Sequence, residues 1–330
     1  MKALRTNREW LFLKLGEPPD NPSIPTISEM ISFKSPTKLQ KTLSEQLSVH
    51  RRKAWHETAK TSDKVRIDSA SSKDSAAWLL ALPRTPYLTV EASIFRTMIC
   101  HRLGADVPGI IGARCRCNTK NLPGYIDTKG IHLMAQCPRG NQRFTTHDAL
   151  VLNYAQMFRE AGFLIRTEPR NEFVHIDGSA KRPDLQVYNF KGGRACFDVS
   201  VTHPALLRLG LNAVPEAGKA ASNREQEKYN KYKEISKAAG MTFHPLVHEA
   251  HGRVGLAAQR VLKACVERIA SLRRQPVASV IHYWRSRLSL SLQISQARAV
   301  YERFRDSQLA HNVGSDESSW LNYRGIAWAT

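Results

Sequence analysis

Acidic residues are scarce in this chain: 29 Asp and Glu stand against 49 Lys and Arg in 330 residues, which gives a formal net charge of +20 at pH 7. A basic excess of this size favours a polyanionic partner, and nucleic acid is the commonest one. The hydrophobic content of 42% and the charged content of 24% are ordinary for a globular protein. The length suits one large domain or two modest ones.

Long apolar runs are also absent. No stretch of about 18 or more apolar residues occurs, so we expect no transmembrane helix and no membrane partner. The N-terminal segment MKALRTNREWLFLKLGEPPD has neither a long apolar core nor a small-residue cleavage site, and we expect no signal peptide. The predicted location is therefore intracellular. Thiols are mostly reduced there, so closely spaced cysteines are expected to hold metal rather than to form disulfides.

The N-terminal half is predicted to be mainly helical. Apolar residues four apart predict a helix over 35–57, whereas the polar run at 60–75 is typical of a linker or an exposed loop. A second helix is predicted before Gly104, with Thr89 as its N-cap and Gly104 as its C-cap. Its inner face is predicted to carry three apolar residues, namely Ile94, Met98 and Leu103.

The second half has the pattern of an α/β core. A helix capped by Thr145 or Thr146, with Asp148 in its first turn, is predicted to end at Gly162. Its predicted inner face consists of Leu150, Val151, Tyr154, Phe158 and Ala161. Three strand-like runs follow, then a helix, one more strand and two further helices. We expect four regions, at residues 1–75, 76–146, 147–255 and 256–330.

Residues 105–146 form a long stretch rich in Gly, Pro, Cys and Arg, and a loop of this length needs a reason inside a compact domain. It contains the motifs CRC and HLMAQC. Three thiolates and an imidazole suit a tetrahedral zinc site of the structural kind, which would keep such a loop folded. The predicted ligands are Cys115, Cys117, His132 and Cys137, and His147 is the alternative to His132 as the fourth ligand.

Acidic residues recur at the ends of the strand-like runs that follow. Glu168 ends the first run, Asp184 begins the second and Asp198 lies in the third, so that all three acids can meet at one end of a small sheet. Carboxylates that meet in this way bind Mg²⁺, which can polarise a phosphodiester and activate water. The alternative is structural: Asp184 can cap a turn after Pro183, and Asp198 can pair with Arg182 or Arg194.

A lysine near the acids would stabilise developing charge. Two residues after Asp198 the chain has Ser200, so the lysine must come from elsewhere. Arg224, Lys228 and Tyr232 lie four residues apart and share one face of the next predicted helix. Lys228, with Tyr232 beside it, is the preferred residue. The competing lysines on the same helix are Lys219, Lys231 and Lys233, and a solvated charged face is the alternative interpretation.

The order Cys-x-Cys, His-x4-Cys, Arg-Pro-Asp and a second Asp resembles the C-terminal end of site-specific LINE-type (non-LTR) retrotransposon proteins. The segments SAAWLLALP, FRTMICHRLG, TEP, RPDLQV, FDVSVTHP and FHPLVHEAHG, within residues 75–255, carry this resemblance. Those proteins have a zinc knuckle followed by a restriction-like endonuclease of the PD-(D/E)XK class. The interval between Cys117 and His132 is longer than in the usual knuckle, and no Tyr-x-Asp-Asp or Phe-x-Asp-Asp motif of a reverse transcriptase occurs.

The resemblance implies an α/β fold: a restriction-endonuclease-like core with a small mixed sheet flanked by helices, preceded by the zinc knuckle and a helical N-terminal region. It implies Asp184 and Asp198 as ligands of Mg²⁺ or Mn²⁺, Glu168 as an early acid, and Lys228 with Tyr232 as the displaced lysine and its neighbour. The expected nucleic-acid contacts are Arg139, Arg143, Lys181, Arg182, Arg224 and the basic C-terminal helices, where residues 251–311 hold eleven Lys and Arg against three acids.

The implied function is that of a nuclear, metal-dependent DNA endonuclease that nicks a target, as a detached piece or a stand-alone relative of such a retrotransposon protein. RNA is the alternative substrate, and a dimer would be able to cut both strands. A catalytically silent, zinc-stabilised nucleic-acid-binding module is the second hypothesis, because Ser200 stands where a lysine is usual. A basic scaffold that binds protein is the third.

Overall fold

The computed structural model describes residues 36–108, 110, 115, 117, 126–137, 142–169, 182–204 and 217–309, together with positions 28 and 32. The chain divides into two compact units, residues 1–64 and 65–330. The expected α/β class is confirmed, since the second unit contains a four-stranded mixed sheet among helices.

The described helices and strands follow the predicted order in the second half of the chain. The helices are α1 (Pro36–Thr58), α2 (Thr61–Ala70), α3 (Ala92–Leu103), α4 (Gln142–Glu160), α5 (Lys219–Ala238), α6 (Leu256–Arg273) and α7 (Val277–Leu309). The strands are β1 (Ile165–Thr167), β2 (Leu185–Phe190), β3 (Gly193–Thr202) and β4 (Thr242–Glu249). Short 3₁₀ turns lie at Ala77–Leu80 and Pro86–Leu88, and a π-helical turn lies at His132–Gln136.

The strands are ordered β1-β2-β3-β4. The first two pairs are antiparallel, whereas β3 and β4 are parallel. Parallel neighbours need a crossover, and α5 provides it. Apolar residues of α4, α6 and α7 pack with one face of the sheet in the main hydrophobic core. On the other face, Tyr232 and Ile235 of α5 pack with Cys196 and Phe243. The sheet is therefore covered by helices on both faces.

The polar segment at 60–75 was predicted to be a linker or an exposed loop, and this prediction is wrong for its first part, which is the helix α2. Val65 and Ala70 are buried. Arg66 donates to the carbonyl of Arg102, and Arg102 in turn donates to the carbonyls of Ala70 and Ser75. These long-range hydrogen bonds order a segment whose own sequence has little apolar periodicity.

The ends of two helices also differ from the prediction. Thr89 does not cap α3, because Glu91 is its N-cap residue and makes no side-chain capping bond. Gly104 is the predicted C-cap, with a left-handed φ of 69°. Leu103 is 65% exposed, although Ile94 and Met98 on the predicted inner face are buried.

The helix α4 begins at Gln142, so Thr145 and Thr146 lie inside it and are not its caps, and Asp148 lies beyond its first turn. Gly162, with a φ of 74°, follows its end as predicted. All five residues of its predicted inner face are buried, namely Leu150, Val151, Tyr154, Phe158 and Ala161.

Candidate functional site

Three cysteines and one histidine converge in the segment that precedes α4. One ligand atom from each of Cys115, Cys117, His132 and Cys137 lies within 4.8 Å of all the others. The Sγ atoms of Cys115 and Cys137 are 3.5 Å apart, and Sγ of Cys117 lies 3.2 Å from Nε2 of His132. This group can hold a metal ion, and its soft donor set is compatible with a structural zinc.

Local backbone geometry brings His132 and Cys137 together. The carboxylate of Asp127 accepts the backbone N–H groups of Ile131 and His132, at 2.9 and 2.7 Å, and so orders the start of the turn. The turn then winds as a π-helix, in which the N–H of Cys137 donates to the carbonyl of His132 at 2.7 Å. This turn places the side chains of His132 and Cys137, five residues apart, in the same group of potential metal ligands.

The surroundings of the cysteines are largely closed to solvent, because Cys117, His132 and Cys137 are buried. Burial, together with side-chain contacts to Cys117 and Cys137, raises the pKa of the Cys115 thiol to about 12. Without a cation this thiol therefore stays protonated near neutral pH. Thiolate is the form that binds metal, so metal binding here would release protons.

Of the two histidines that the sequence left open as the fourth ligand, His132 lies in this group. His147 lies elsewhere: its Nε2 is 3.1 Å from Oδ2 of Asp184, and its Nδ1 is 2.9 Å from Oδ1 of Asp148. Burial opposes the charged ring, but hydrogen bonds to Asp184 and Asp148 and their charges raise the pKa of His147 to about 9. The ring is therefore protonated at neutral pH.

The two aspartates lie at matching positions, Asp198 within β3 and Asp184 just before the neighbouring strand β2. Asp184 directly precedes β2, and its N–H donates to the carbonyl of Phe197, one residue before Asp198. The side chain of Asp184 accepts the N–H of Val199 at Oδ2, at 2.6 Å. Asp198 lies within β3 and is 4% exposed. The antiparallel pairing of β2 and β3 thus fixes the backbone on which both carboxylates are carried.

Lys228 of α5 contacts the buried aspartate: its Nζ lies 2.6 Å from Oδ2 of Asp198. One turn earlier, Nε of Arg224 donates to Oγ of Ser200 at 2.8 Å. One turn later, the hydroxyl of Tyr232 donates to the carbonyl of Arg182. Burial, and next the carboxylate of Asp198, raise the pKa of Tyr232, so its hydroxyl stays protonated.

The competing lysines of α5 have other neighbours. Nζ of Lys233 lies 4.0 Å from Glu234, and Nζ of Lys231 lies over the ring of Tyr232. Among the lysines of α5, the one that forms an ion pair with Asp198 is thus Lys228. The structural alternatives for Asp198 also have other partners, since Arg182 pairs with Glu168 and Arg194 donates to the carbonyl of Ala239.

Glu168 joins the site through its backbone, because its N–H donates to the carbonyl of Asp184. Its backbone is left-handed, with a φ of 45°, and its half-exposed carboxylate lies 3.3 Å from Nη1 of Arg182. Arg224, besides its bond to Ser200, pairs with Glu227. The remaining predicted nucleic-acid contacts, Arg139, Lys181 and the side chain of Arg143, lie outside the described residues.

Two groups of three or more potential metal ligands occur among the described residues: the cysteine–histidine group and a group of three histidines. Asp184 and Asp198 belong to neither. The sequence predicted neither the meeting of the three histidines nor the contact between His147 and Asp184. No local spacing in the sequence indicates either feature. The position of His203 and His251, each just after a strand-like run, is the one signal that could have placed these two histidines near each other.

No helix in the described part of the chain is both long and apolar enough to cross a membrane. No protein-family model matches the sequence, and no curated protein matches it.

Proposed function

We propose that the protein is a metal-dependent DNA endonuclease that hydrolyses a phosphodiester bond and so nicks a DNA target. The supporting observation is the contact between Lys228 and Asp198, at 2.6 Å, beside the second carboxylate of Asp184. Asp198 lies within β3 and Lys228 on α5, and Asp184, just before β2, is bonded to Phe197 beside Asp198. This is the set of residue types that the resemblance to the PD-(D/E)XK class implies, on a small mixed sheet flanked by helices.

The acids suit Mg²⁺ or Mn²⁺. Mg²⁺ is commonly held by one or two carboxylates together with waters and phosphate oxygens of the substrate. Both hydrogen bonds that the carboxylate of Asp184 accepts within the described residues go to Oδ2, which leaves Oδ1 for a ligand. Asp184 and Asp198 would hold the ion. When bound, it would polarise the scissile phosphate and lower the pKa of the attacking water.

Lys228 supplies positive charge at a place where water is largely excluded, since its side chain is 13% exposed and that of Asp198 is 6% exposed. A charge held in such surroundings acts more strongly on a developing negative charge than one in open solvent. Tyr232 fixes α5 against the segment before β2 through its bond to Arg182. Its role is to position Lys228 one turn away on the same helix.

The overall charge of +20 supports a nucleic-acid partner, with DNA preferred over RNA by the resemblance. Arg182 lies close to Asp184 in the chain and its side chain is 48% exposed, so it is placed to contact the phosphate backbone. Such contacts position the protein without reading sequence. A structural zinc on the four-residue cysteine–histidine group would hold the preceding segment in place, and nuclear residence accords with a DNA substrate.

The test is a nicking assay with supercoiled plasmid and Mg²⁺ or Mn²⁺, run beside gel-shift measurements of binding. Asp184→Ala, Asp198→Ala and Lys228→Met are expected to lose nicking and to keep binding. Lys233→Met is the matched control, because this lysine lies on the same helix and pairs with Glu234. Nicking that survives in all three variants, or that disappears equally in the control, would contradict the proposal.

A second candidate is a catalytically silent nucleic-acid-binding module. The observation that favours it is that each acid already has a cationic partner, Lys228 for Asp198 and the protonated His147 for Asp184. Ser200, which binds Arg224, also stands where a lysine is usual. For this candidate we expect salt-sensitive DNA binding with no nicking by the wild-type protein in either metal.

A further inference from the structure

Three histidines from distant parts of the chain meet in the interior of the second unit. His101 lies on α3, His203 follows β3 and His251 follows β4. One ring nitrogen from each lies within 4.8 Å of the other two. The ring centroids of His101 and His251 are 4.4 Å apart, and those of His203 and His251 are 5.2 Å apart. The three residues are 4% to 7% exposed.

The parallel pairing of β3 and β4 places two of these histidines side by side. Thr202 is paired with Glu249 at the end of the ladder, and the N–H of Ala250 donates to the carbonyl of Thr202. His203 and His251 each follow one of these bonded residues directly. Both histidines therefore sit beyond the carboxyl ends of two adjacent parallel strands, and their backbones are fixed by the sheet.

Two ring nitrogens of this cluster have no hydrogen-bond partner among the described residues. Nε2 of His101 and Nδ1 of His251 are buried, and within that part of the chain neither has a hydrogen-bond partner. The side chain of Gln293 forms a hydrogen bond with the His101 ring, and its amide nitrogen donates to the carbonyl of Ala250. Buried polar atoms in native proteins are nearly always satisfied, so two orphaned ring nitrogens in one cluster point to a partner that is not a protein group.

We propose that His101, His203 and His251 form a second metal site, for a transition-metal ion that prefers imidazole nitrogen, such as Zn²⁺. Imidazole suits Zn, Cu, Ni and Fe ions, and three protein ligands leave one position of a tetrahedral ion for a water molecule or an anion. The ion would join α3 to the ends of β3 and β4. The site is distinct from the cysteine–histidine group and from the two aspartates.

The two sites should differ in affinity. The cysteine–histidine group brings thiolates that neutralise a divalent ion, whereas three imidazoles leave its charge intact. The guanidinium groups of Arg66 and Arg102 also lie near enough to His251 to disfavour positive charge there. We therefore expect the cysteine–histidine group to fill first and the histidine site second, at a higher zinc concentration.

The test begins with the metal-free full chain, titrated with Zn²⁺ against a chromophoric chelator. The wild type is expected to bind two zinc ions per chain in two resolved steps. His203→Gln with His251→Gln should remove the weaker step, and Cys117→Ser with Cys137→Ser should remove the tighter one. The matched control is His244→Gln, because His244 lies on β4 with its ring stacked on Phe197, outside the cluster.

A measurement on the wild type alone guards against variants that fail to fold. X-ray absorption distinguishes Zn–S bonds of about 2.3 Å from Zn–N bonds of about 2.0–2.1 Å. With two zinc ions bound, nitrogen and oxygen ligands should outnumber sulfur by four or five to three, whereas the cysteine–histidine group alone gives three sulfurs to one nitrogen. A single zinc per chain with the three-to-one ratio would overturn the proposal. So would a weaker step that survives in the folded double-histidine variant.

Discussion

Nε2 of His248 lies 2.8 Å from the hydroxyl of Tyr154, and both side chains are buried. This bond joins β4 to α4 across the main core. Burial lowers the pKa of His248 to about 4 from its ordinary value of 6.5. The folded protein therefore holds this ring neutral well below the pH at which an unfolded chain would protonate it.

This relationship predicts a pH dependence of stability. Above pH 6.5 the His248 ring is neutral in both the folded and the unfolded protein, so it adds nothing to the pH dependence of the free energy of unfolding. As the pH falls from 6.5 towards 4, the unfolded chain binds a proton that the folded protein does not, so the free energy of unfolding falls. A pKa difference of this size corresponds to about 3 kcal/mol.

The measurement is urea denaturation of the wild type and of His248→Gln from neutral pH down towards the lowered pKa. The variant should be less stable than the wild type at neutral pH, because it loses the bond to Tyr154, and should lose less stability on acidification. Parallel losses in the two proteins would contradict the assignment of a depressed pKa to His248.

The cysteine–histidine group predicts a metal-dependent stability. Cys117→Ser should lower the zinc content by one ion per chain and the free energy of unfolding by about 4 kcal/mol, since loss of a metal is among the costliest changes. Metal analysis and thermal unfolding measure the two effects. Cys196→Ala is the control, because Cys196 is also buried but lies on β3, outside the group. It should keep the zinc and lose only about 1 kcal/mol.

Chelation of the wild type should lower the melting temperature at least as far as Cys117→Ser does, because a chelator would also empty the proposed histidine site. If Cys117→Ser keeps a full zinc content, Cys117 is not a ligand of the ion.

Arg182 predicts a local change in nucleic-acid binding. Its side chain is 48% exposed and lies close to Asp184 in the chain. Arg182→Gln should weaken DNA binding about equally for all sequences and reduce the slope of log affinity against log salt by about one. Lys191→Gln is the matched control, since Lys191 lies at the other end of β2, about 20 Å away along the strand.

Fluorescence anisotropy over a range of salt concentrations gives the slope of log affinity against log salt for each variant. An effect of equal size in Lys191→Gln would mean that net charge, rather than a contact near the acids, governs binding.

The turn that carries His251 depends on a glycine. Gly252 has a φ of 97°, and a Cβ there would lie 2.9 Å from Cα of Ser75. Gly252→Ala is therefore expected to destabilise the protein both through left-handed backbone strain and through a clash with the main chain. Gly192→Ala is the control for strain alone, because Gly192 has a φ of 84° and no atom within 4 Å of the added Cβ.

Chemical denaturation of both variants should show Gly252→Ala to be the less stable by about 1–3 kcal/mol. Equal decreases in the free energy of unfolding would mean that the backbone at Ser75 moves away from the added Cβ without destabilising the protein.

The sheet and its flanking helices could be predicted from the sequence, because their signals are local. Short β-like runs identified the strands, and the four-residue spacing on α4 identified its buried face. The errors occurred where distant contacts decide the outcome. Leu103 has the spacing of an inner residue but lies at the end of α3 and is exposed. The helix α2 is polar, and it is ordered by the bonds between Arg66 and Arg102.

The same distinction applies to the sites. The cysteine motifs and the helical spacing of Lys228 are visible in short windows, and the structure places Lys228 against Asp198. His147 contacts Asp184 across 37 residues, and the three histidines come from positions 101, 203 and 251. Contacts of this kind are set by the register of the sheet and by the packing of α3 and α4, which no short window of sequence contains.

The strand β3 carries both kinds of chemistry. Asp198 lies within it, and His203 follows its end five residues later, about 17 Å along the chain at the rise of an extended strand. Asp198 contacts Lys228 of α5, whereas His203 lies with His101 and His251, so the two proposed sites share no residue although both depend on β3. An ion bound at either proposed site would therefore restrain the strand that carries or precedes a ligand of the other site.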